Sequence, residues 1–382
     1  MTKLIKYVII TLIKAESHSS KGELKMKNYA GQIIFLTILF LAITFNIYAV
    51  QFYTIIELNA PCNYPHPLEA AISNSGLVTG EWCIGGTSRS YIWENGVSTD
   101  LGTLAEGAFF AKAVNSKGQV TGSSMNESRA SRAVLWEEGV IINLGTLNGY
   151  SSKGLSINED GIIVGCSYNQ NDDIRPFIWK NGNMQDIGTL GGKSGIARGI
   201  NDLNQVVGNA DTVSGQSHAF LWENGVMYDL GTFGGTSSKA LGINNQTRII
   251  GGLVDNTGLW RSWIWENGSI QYIPTLGGDW GTPKDINNLG QVVGGSITSE
   301  GDWHAFLYEN GISYDLNNLI PSNFGWVLDT ATGINDSGWI VGYGNFKGMT
   351  KAFLLKPVPE PTLFSLAYLC SILLIFSRRL ML

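Results

Sequence analysis

The residues able to do chemistry in this chain are few in kind, and most of them are copied. Three histidines follow the leader: His66, His218 and His304. His218 and His304 hold the same place in two non-adjacent repeats, so they meet similar surroundings. They are read as strand-start residues rather than ligands of one shared metal. His66 lies in a proline-rich insertion with no partner in its pattern. Carboxylates recur in two series. Asp100, Asp186, Asp229 and Asp315 take one slot, with Asn143 and Gln271 in its decayed copies, and Asp202, Asp285 and Asp336 follow near a later turn. A ring of carboxylates about a channel would bind Ca²⁺ or supply the acid and base of a glycosidase. The competing reading has Asp capping backbone N–H groups in a repeated turn. Repetition favours the second, because a catalytic group is normally unique to one copy. Glu81, Asp172, Asp173, Asp279 and Asp302 fall outside the pattern and are the acids an enzyme would use.

No G-x-S-x-G elbow is present, and the Gly-rich Leu-Gly-Thr-Leu-Gly-Gly runs lack both a following helix and a Lys-Ser/Thr pair. No catalytic residue, metal site or cofactor is therefore assigned. Among the 12 tryptophans, Trp93, Trp136, Trp179, Trp222 and Trp265 recur in register, which points to packing between repeats. Trp82, Tyr150, Trp260, Trp263, Trp280, Trp303, Trp326 and Trp339 do not. Of these, Trp260, Trp280, Trp303 and Trp326 lie in or near connecting segments, where binding residues gather, and are the candidates for a sugar-stacking rim.

The elements that must position these residues are strands. Gly is 48 of 382 residues without a collagen period, and charged residues are only 15%, a turn-rich β composition. The aromatic before Glu-Asn-Gly returns every 43 residues, at Trp93, Trp136, Trp179, Trp222, Trp265 and Tyr308. A strand glycine returns seven times: Gly80, Gly122, Gly165, Gly208, Gly251, Gly294 and Gly342. One period reads as four short strands, for example Met-Tyr-Asp-Leu from Met227, then strands near Lys239, Arg248 and Ser262. Asn-Gly marks tight hairpins. Four strands in about 43 residues is the size of one propeller blade, and seven copies suit a closed ring. The predicted fold is all-β, a seven-bladed β-propeller over residues 50–357, with an open β-solenoid as the alternative. If the blade frame mixes both ends of the chain, closure predicts that Tyr53–Leu58 pairs in one sheet with the C-terminal Ala352–Lys356 segment.

The ends differ from the body. Residues 33–45 are an apolar run after Lys25 and Lys27, ending in a small residue at Ala49. This reads as a secretory signal within a leader of residues 1–49, the true start falling at Met26, or alternatively as an uncleaved anchor. At the other end Val358-Pro359-Glu360-Pro361 precedes an apolar segment from about Leu363 to Phe376, then Arg378 and Arg379. Proline is excluded from helix interiors, and an arginine pair stays on the cytoplasmic side. Residues 358–382 resemble the PEP-CTERM sorting signal. That resemblance implies transient membrane insertion, processing by an exosortase-type protease, and a place outside the cell or on its surface; a plain membrane anchor is the alternative. Residues 52–356 resemble the HAF repeat of bacterial extracellular proteins through Asp-Leu-Gly-Thr-Leu-Gly-Gly, Gly-Ile-Asn-Asp, Gly-Gln-Val-Val-Gly and His-Ala-Phe-Leu-Trp-Glu-Asn-Gly, with the triplet at His218–Phe220 and His304–Phe306. It implies export and repetition, and no particular activity.

Between residues 50 and 357 there are 17 Lys and Arg against 28 Asp and Glu, a net charge of −11. A nucleic-acid footprint needs the opposite sign. Cys62 and Cys83 fall in the first copy, and oxidising surroundings would join them as a disulfide. The function expected is a surface or matrix binding module for extracellular polysaccharide or surface proteins. The alternatives are a glycoside hydrolase or lyase, and a matrix filler without a specific ligand.

Overall fold

The computed structural model describes residues 51–58, 70–84, 87–105 and 107–359. These form twenty-eight strands and two 3-10 turns, Leu316–Asn318 and Ser322–Phe324. The strands assemble into seven four-stranded sheets, the blades of a β-propeller. Blades one to six occupy residues 71–100, 109–143, 148–186, 191–231, 237–272 and 277–315. Blade seven combines Trp326–Ile334, Ile340–Phe346 and Met349–Pro357 with Tyr53–Leu58 from the other end of the chain.

Each blade is an antiparallel meander running from the axis outward. The first strands of neighbouring blades touch all the way round, blade seven against blade one included. The predicted ring is therefore closed, and the solenoid is set aside. Tyr53 pairs with Pro357, Ile55 with Leu355 and Leu58 with Ala352, so the N-terminal strand seals the ring as the outermost strand of the last blade. The structure also sets the frame. The sequence period beginning at Met227 straddles two blades, because Val226–Gly231 is the outer strand of blade four and Ser237–Ile243 the inner strand of blade five.

Local chemistry explains the repeat. The third and fourth strands are joined by two residues with positive φ: Asn224 at 51° and Gly225 at 85° in blade four, with the same pair in four other blades. This is the type I′ turn that matches strand twist. In the second strand, Gly208 pairs with Phe220, Gly294 with Phe306 and Gly342 with Phe353. A Cβ on Gly208 would collide with the Ile196 carbonyl and press on the Phe220 ring. The glycine is thus required for the inner strand and the aromatic to close over it. The core lies between blades. One cluster joins Val207, Ala219 and Leu221 of blade four to Ala240, Ile249 and Trp263 of blade five, with Trp265 packed against it. The register-repeated tryptophans occupy these inter-blade layers, where each blade supplies the cover its neighbour lacks.

The signal segment at 33–45, Ala49, Cys62, Glu360, Pro361, the apolar tail, Arg378 and Arg379 lie outside the described residues, as does the side chain of Cys83. Among the described residues no helix is long and apolar enough to cross a membrane. Val358 is exposed, and its N–H donates to the Phe52 carbonyl at 2.8 Å, so the chain leaves the ring at Val358 beside the seam.

Candidate functional site

Two depressions among the described residues carry the candidate side chains, and they are built differently. The first is the mouth where all seven blades meet, a polar depression of ≈ 160 Å³. Six of the seven inner strands are followed directly by a buried Asn: Asn115, Asn158, Asn201, Asn244, Asn287 and Asn335. In blade four the Asn201 Oδ1 accepts the N–H of Leu203 at 3.1 Å and of Gln205 at 2.9 Å, and its Nδ2 donates to the Asn244 carbonyl of the next blade at 3.0 Å. The same inter-blade bond runs from Asn115 round to Asn335, which reaches Ser73 of blade one. Ser73 is too short to continue it, so the ladder breaks between blades one and two.

One residue further on, Asp202 accepts the Glu159 N–H at 2.9 Å, Asp336 accepts the Asn288 N–H at 2.8 Å, and Asn74 accepts the Asp336 N–H at 2.9 Å. Asp202 and Asp336 therefore cap backbone donors at the mouth. Asp285 does not belong to their series. It sits within the inner strand Gly277–Ile286, just past a register shift, where the other blades carry Ala, Ser or Gly. Its carboxylate accepts Ile286 N–H at 2.8 Å and Ile334 N–H at 2.9 Å. Burial, with a smaller push from Asp336, raises it to about 7 against the two N–H bonds.

The other acidic series has a different role. Asp100, Asp186, Asp229 and Asp315 stand on outer strands opposite a basic residue or histidine of the third strand: Arg89, Arg175, His218 and His304, at 2.7 to 2.9 Å. Glu57 and Lys351 repeat the pair in blade seven at 3.1 Å. The histidine of the His-Ala-Phe triplet is thus a cross-strand partner. No group of three or more metal-ligating side chains occurs among the described residues. Of the off-pattern acids, Asp173 accepts Asn169 Nδ2 at 3.3 Å and Glu81 pairs with Lys112 at 3.8 Å.

The second place is the opposite face, where the inner strands begin. Trp280 is 51% exposed and meets Trp303 edge-on, ring centres 6.0 Å apart. Trp303 also donates from Nε1 to Thr330 Oγ1 of blade seven at 3.0 Å. Trp326 stacks on Phe346 at 4.9 Å and meets Phe353 edge-on at 6.1 Å. Trp260 lies over Gly252, where a Cβ would strike its indole, and Trp303 lies over Gly295 in the same way. The four tryptophans thus share one face across blades five to seven, but only Trp280 and Trp303 touch. Three expectations need correction. Trp263 is fully buried, because it fills the phenylalanine position of the triplet. Trp260 and Trp303 occupy equivalent strand starts, so they are a local repeat. Trp339 lies under Lys356, Nζ 3.6 Å from the ring centre.

Between blades five and six this face opens into a cleft of ≈ 410 Å³, walled by Trp260, Tyr272, Pro274 and Thr275, with Asp255 and Arg261 at one side and Gly281 on its floor. Tyr272 pairs across from Trp263 as Asp229 does from Phe220. It therefore stands in the acid's slot, which the sequence pattern gave to Gln271. Without the acid, Arg261 turns to Asp255, Nε to Oδ2 at 2.9 Å. Hydrogen bonds from the Thr257 hydroxyl, then from Arg261, hold the Asp255 carboxyl far below the usual range. On the floor, Gly281 takes the position that Ser152 and Ser238 hold elsewhere, and Ser262 Oγ supplies the hydroxyl from the other side, donating to the Gly281 carbonyl at 2.6 Å.

No protein-family model matches the chain, and no curated protein matches it. Among solved structures it is similar to a puromycin-hydrolysing peptidase of Mycobacterium tuberculosis, at 12% identity and TM-score 0.52 over 77% of this chain and 52% of that one. It is also similar to an acylaminoacyl peptidase of Pyrococcus horikoshii, at 11% identity and TM-score 0.49 over 82% of this chain and 53% of that one. TolB of Acinetobacter baumannii follows at 11% and 0.42, over 80% and 79%. This chain spans about half the length of each peptidase. At these identities the likeness is one of fold.

Proposed function

We propose that the protein is an exported propeller of the cell surface or extracellular matrix, a binding module for extracellular polysaccharide or surface partners. The observation that carries this is the tryptophan-bearing face of blades five to seven, with an open cleft walled by Trp260 and Tyr272. Large aromatic surfaces with a few convergent polar groups are what sugar-like ligands bind. The leader and the Val358–Arg379 tail support export and exosortase-type processing by their resemblance to sorting signals. The HAF-like repeats support an extracellular place. A negative body speaks against a nucleic-acid partner. The test is binding of purified residues 50–357 to a glycan panel including the producer's own exopolysaccharide, with release of new reducing ends followed in parallel. Saturable binding without release supports the proposal. Absence of binding to glycan and to cell-surface material alike overturns it.

A second reading, a glycoside hydrolase or lyase, rests on Asp285: one unrepeated carboxyl at the mouth, raised to about 7 and so poised for proton transfer near neutrality. Released reducing ends that disappear in Asp285→Asn would establish it.

A further inference from the structure

The cleft between blades five and six differs from its neighbours by two linked changes. Tyr272 replaces the outer-strand acid, and Arg261 is redirected to Asp255, over a floor left open by Gly281. In blade three the equivalent guanidinium has two partners, Arg175 Nε on Asp186 at 2.8 Å and Nη1 on the Lys193 carbonyl at 3.0 Å. In blade five Asp255 holds Nε alone, and among the described residues no hydrogen bond takes the two terminal nitrogens. They remain as a fixed pair of donors beside two aromatic walls.

Resting on the polysaccharide-binding reading above, we propose that this cleft holds one uncharged pyranose unit, its ring against Trp260 and Tyr272 and its vicinal hydroxyls on the terminal nitrogens of Arg261. The volume of ≈ 410 Å³ lies within the range of small-ligand sites. The apolar ring face suits the aromatic walls, and a planar guanidinium offers two parallel donors to adjacent oxygens. Charge separates a neutral sugar from a uronate. Asp255 already neutralises Arg261, and a body of net charge −11 repels a polyanion.

The test titrates full-length protein with hexaoses of glucose, mannose and galactose, and with hexauronates, by calorimetry at low and high salt. A neutral hexaose should bind with an affinity that salt leaves unchanged. Tyr272→Asp restores the acid that blades one, three, four and six carry, and should recapture Arg261. Binding should then weaken at least tenfold at an unchanged melting temperature. Arg261→Gln, at a half-exposed side chain, should weaken binding without touching the core and serves if Tyr272→Asp fails to fold. Binding confined to hexauronates overturns the neutral-sugar assignment. Hexaose binding that both variants retain overturns the cleft but leaves polysaccharide binding in place. No binding to any hexaose by the parent protein overturns the cleft, and if polymeric glycans and cell-surface material also fail, the broader function falls with it.

Discussion

The two faces of this ring use the same 43-residue unit in opposite ways. At the asparagine mouth, six of seven blades repeat one bond, Nδ2 of each Asn to the carbonyl of the next. Each Asn side chain there is taken up, its Oδ1 by the turn of its own blade and its Nδ2 by the next blade. At the tryptophan face the unit is varied, and the variation clusters in blades five to seven. Repeated polar residues in a propeller are thus structural first, and a ligand site is sought where a blade departs from its siblings. The repeated mouth offers ≈ 160 Å³ and the varied cleft ≈ 410 Å³.

The bluntest test removes what both faces depend on. Deleting residues 52–58 exposes the outer edge of blade seven and should lower the melting temperature sharply, with loss of a single cooperative transition by calorimetry. Next, Asn201→Ala removes the side-chain acceptor of the Leu203 and Gln205 N–H groups and leaves the Asn244 carbonyl with the Thr247 N–H alone, a loss of about 3 kcal/mol at roughly 1 kcal/mol for each of the three bonds. Denaturant unfolding should show it while glycan binding stays unchanged. If binding falls instead, the two faces are coupled and the contrast fails. Asp285 gives a pH test. Its folded value of about 7 lies above the usual 3.8, so its contribution favours the fold in acid and is lost as pH rises from about 4 through 7. Asp285→Asn mimics the protonated form, and its melting temperature relative to the parent should improve steadily from pH 4 to pH 8. The smallest effect is a gain. Ser73→Asn supplies the missing rung between blades one and two and should stabilise by about 0.5–1 kcal/mol.

The ring was legible because a blade cannot bury both faces alone, so its glycine, Asn-Gly turn and aromatic must recur at fixed spacing. The frame was not, because nothing local to Val226–Gly231 says that it closes one blade rather than opens the next. Individual roles failed where one residue type serves two purposes. Trp263 looks like a surface aromatic only until it is placed in the phenylalanine slot. Asp285 looks like one more turn aspartate, yet it falls inside a strand, past a register shift that no residue spacing announces. Arg261 and Asp255 escaped notice because their significance depends on an acid that is absent. Aligning Tyr272 with Asp229 at the full 43-residue spacing would have shown that substitution.

The seam has a consequence in time. Thr54 and Lys356, bonded side chain to backbone, are 302 residues apart. At a synthesis rate of about 5–20 residues per second, the first strand waits roughly 15–60 s for its partner. Throughout that interval Tyr53–Leu58 is an apolar ribbon with an open edge, and a neighbouring copy's unfinished last blade would accept it as readily as its own. Crowded production should therefore yield linked dimers by strand exchange, and slow or dilute production single rings.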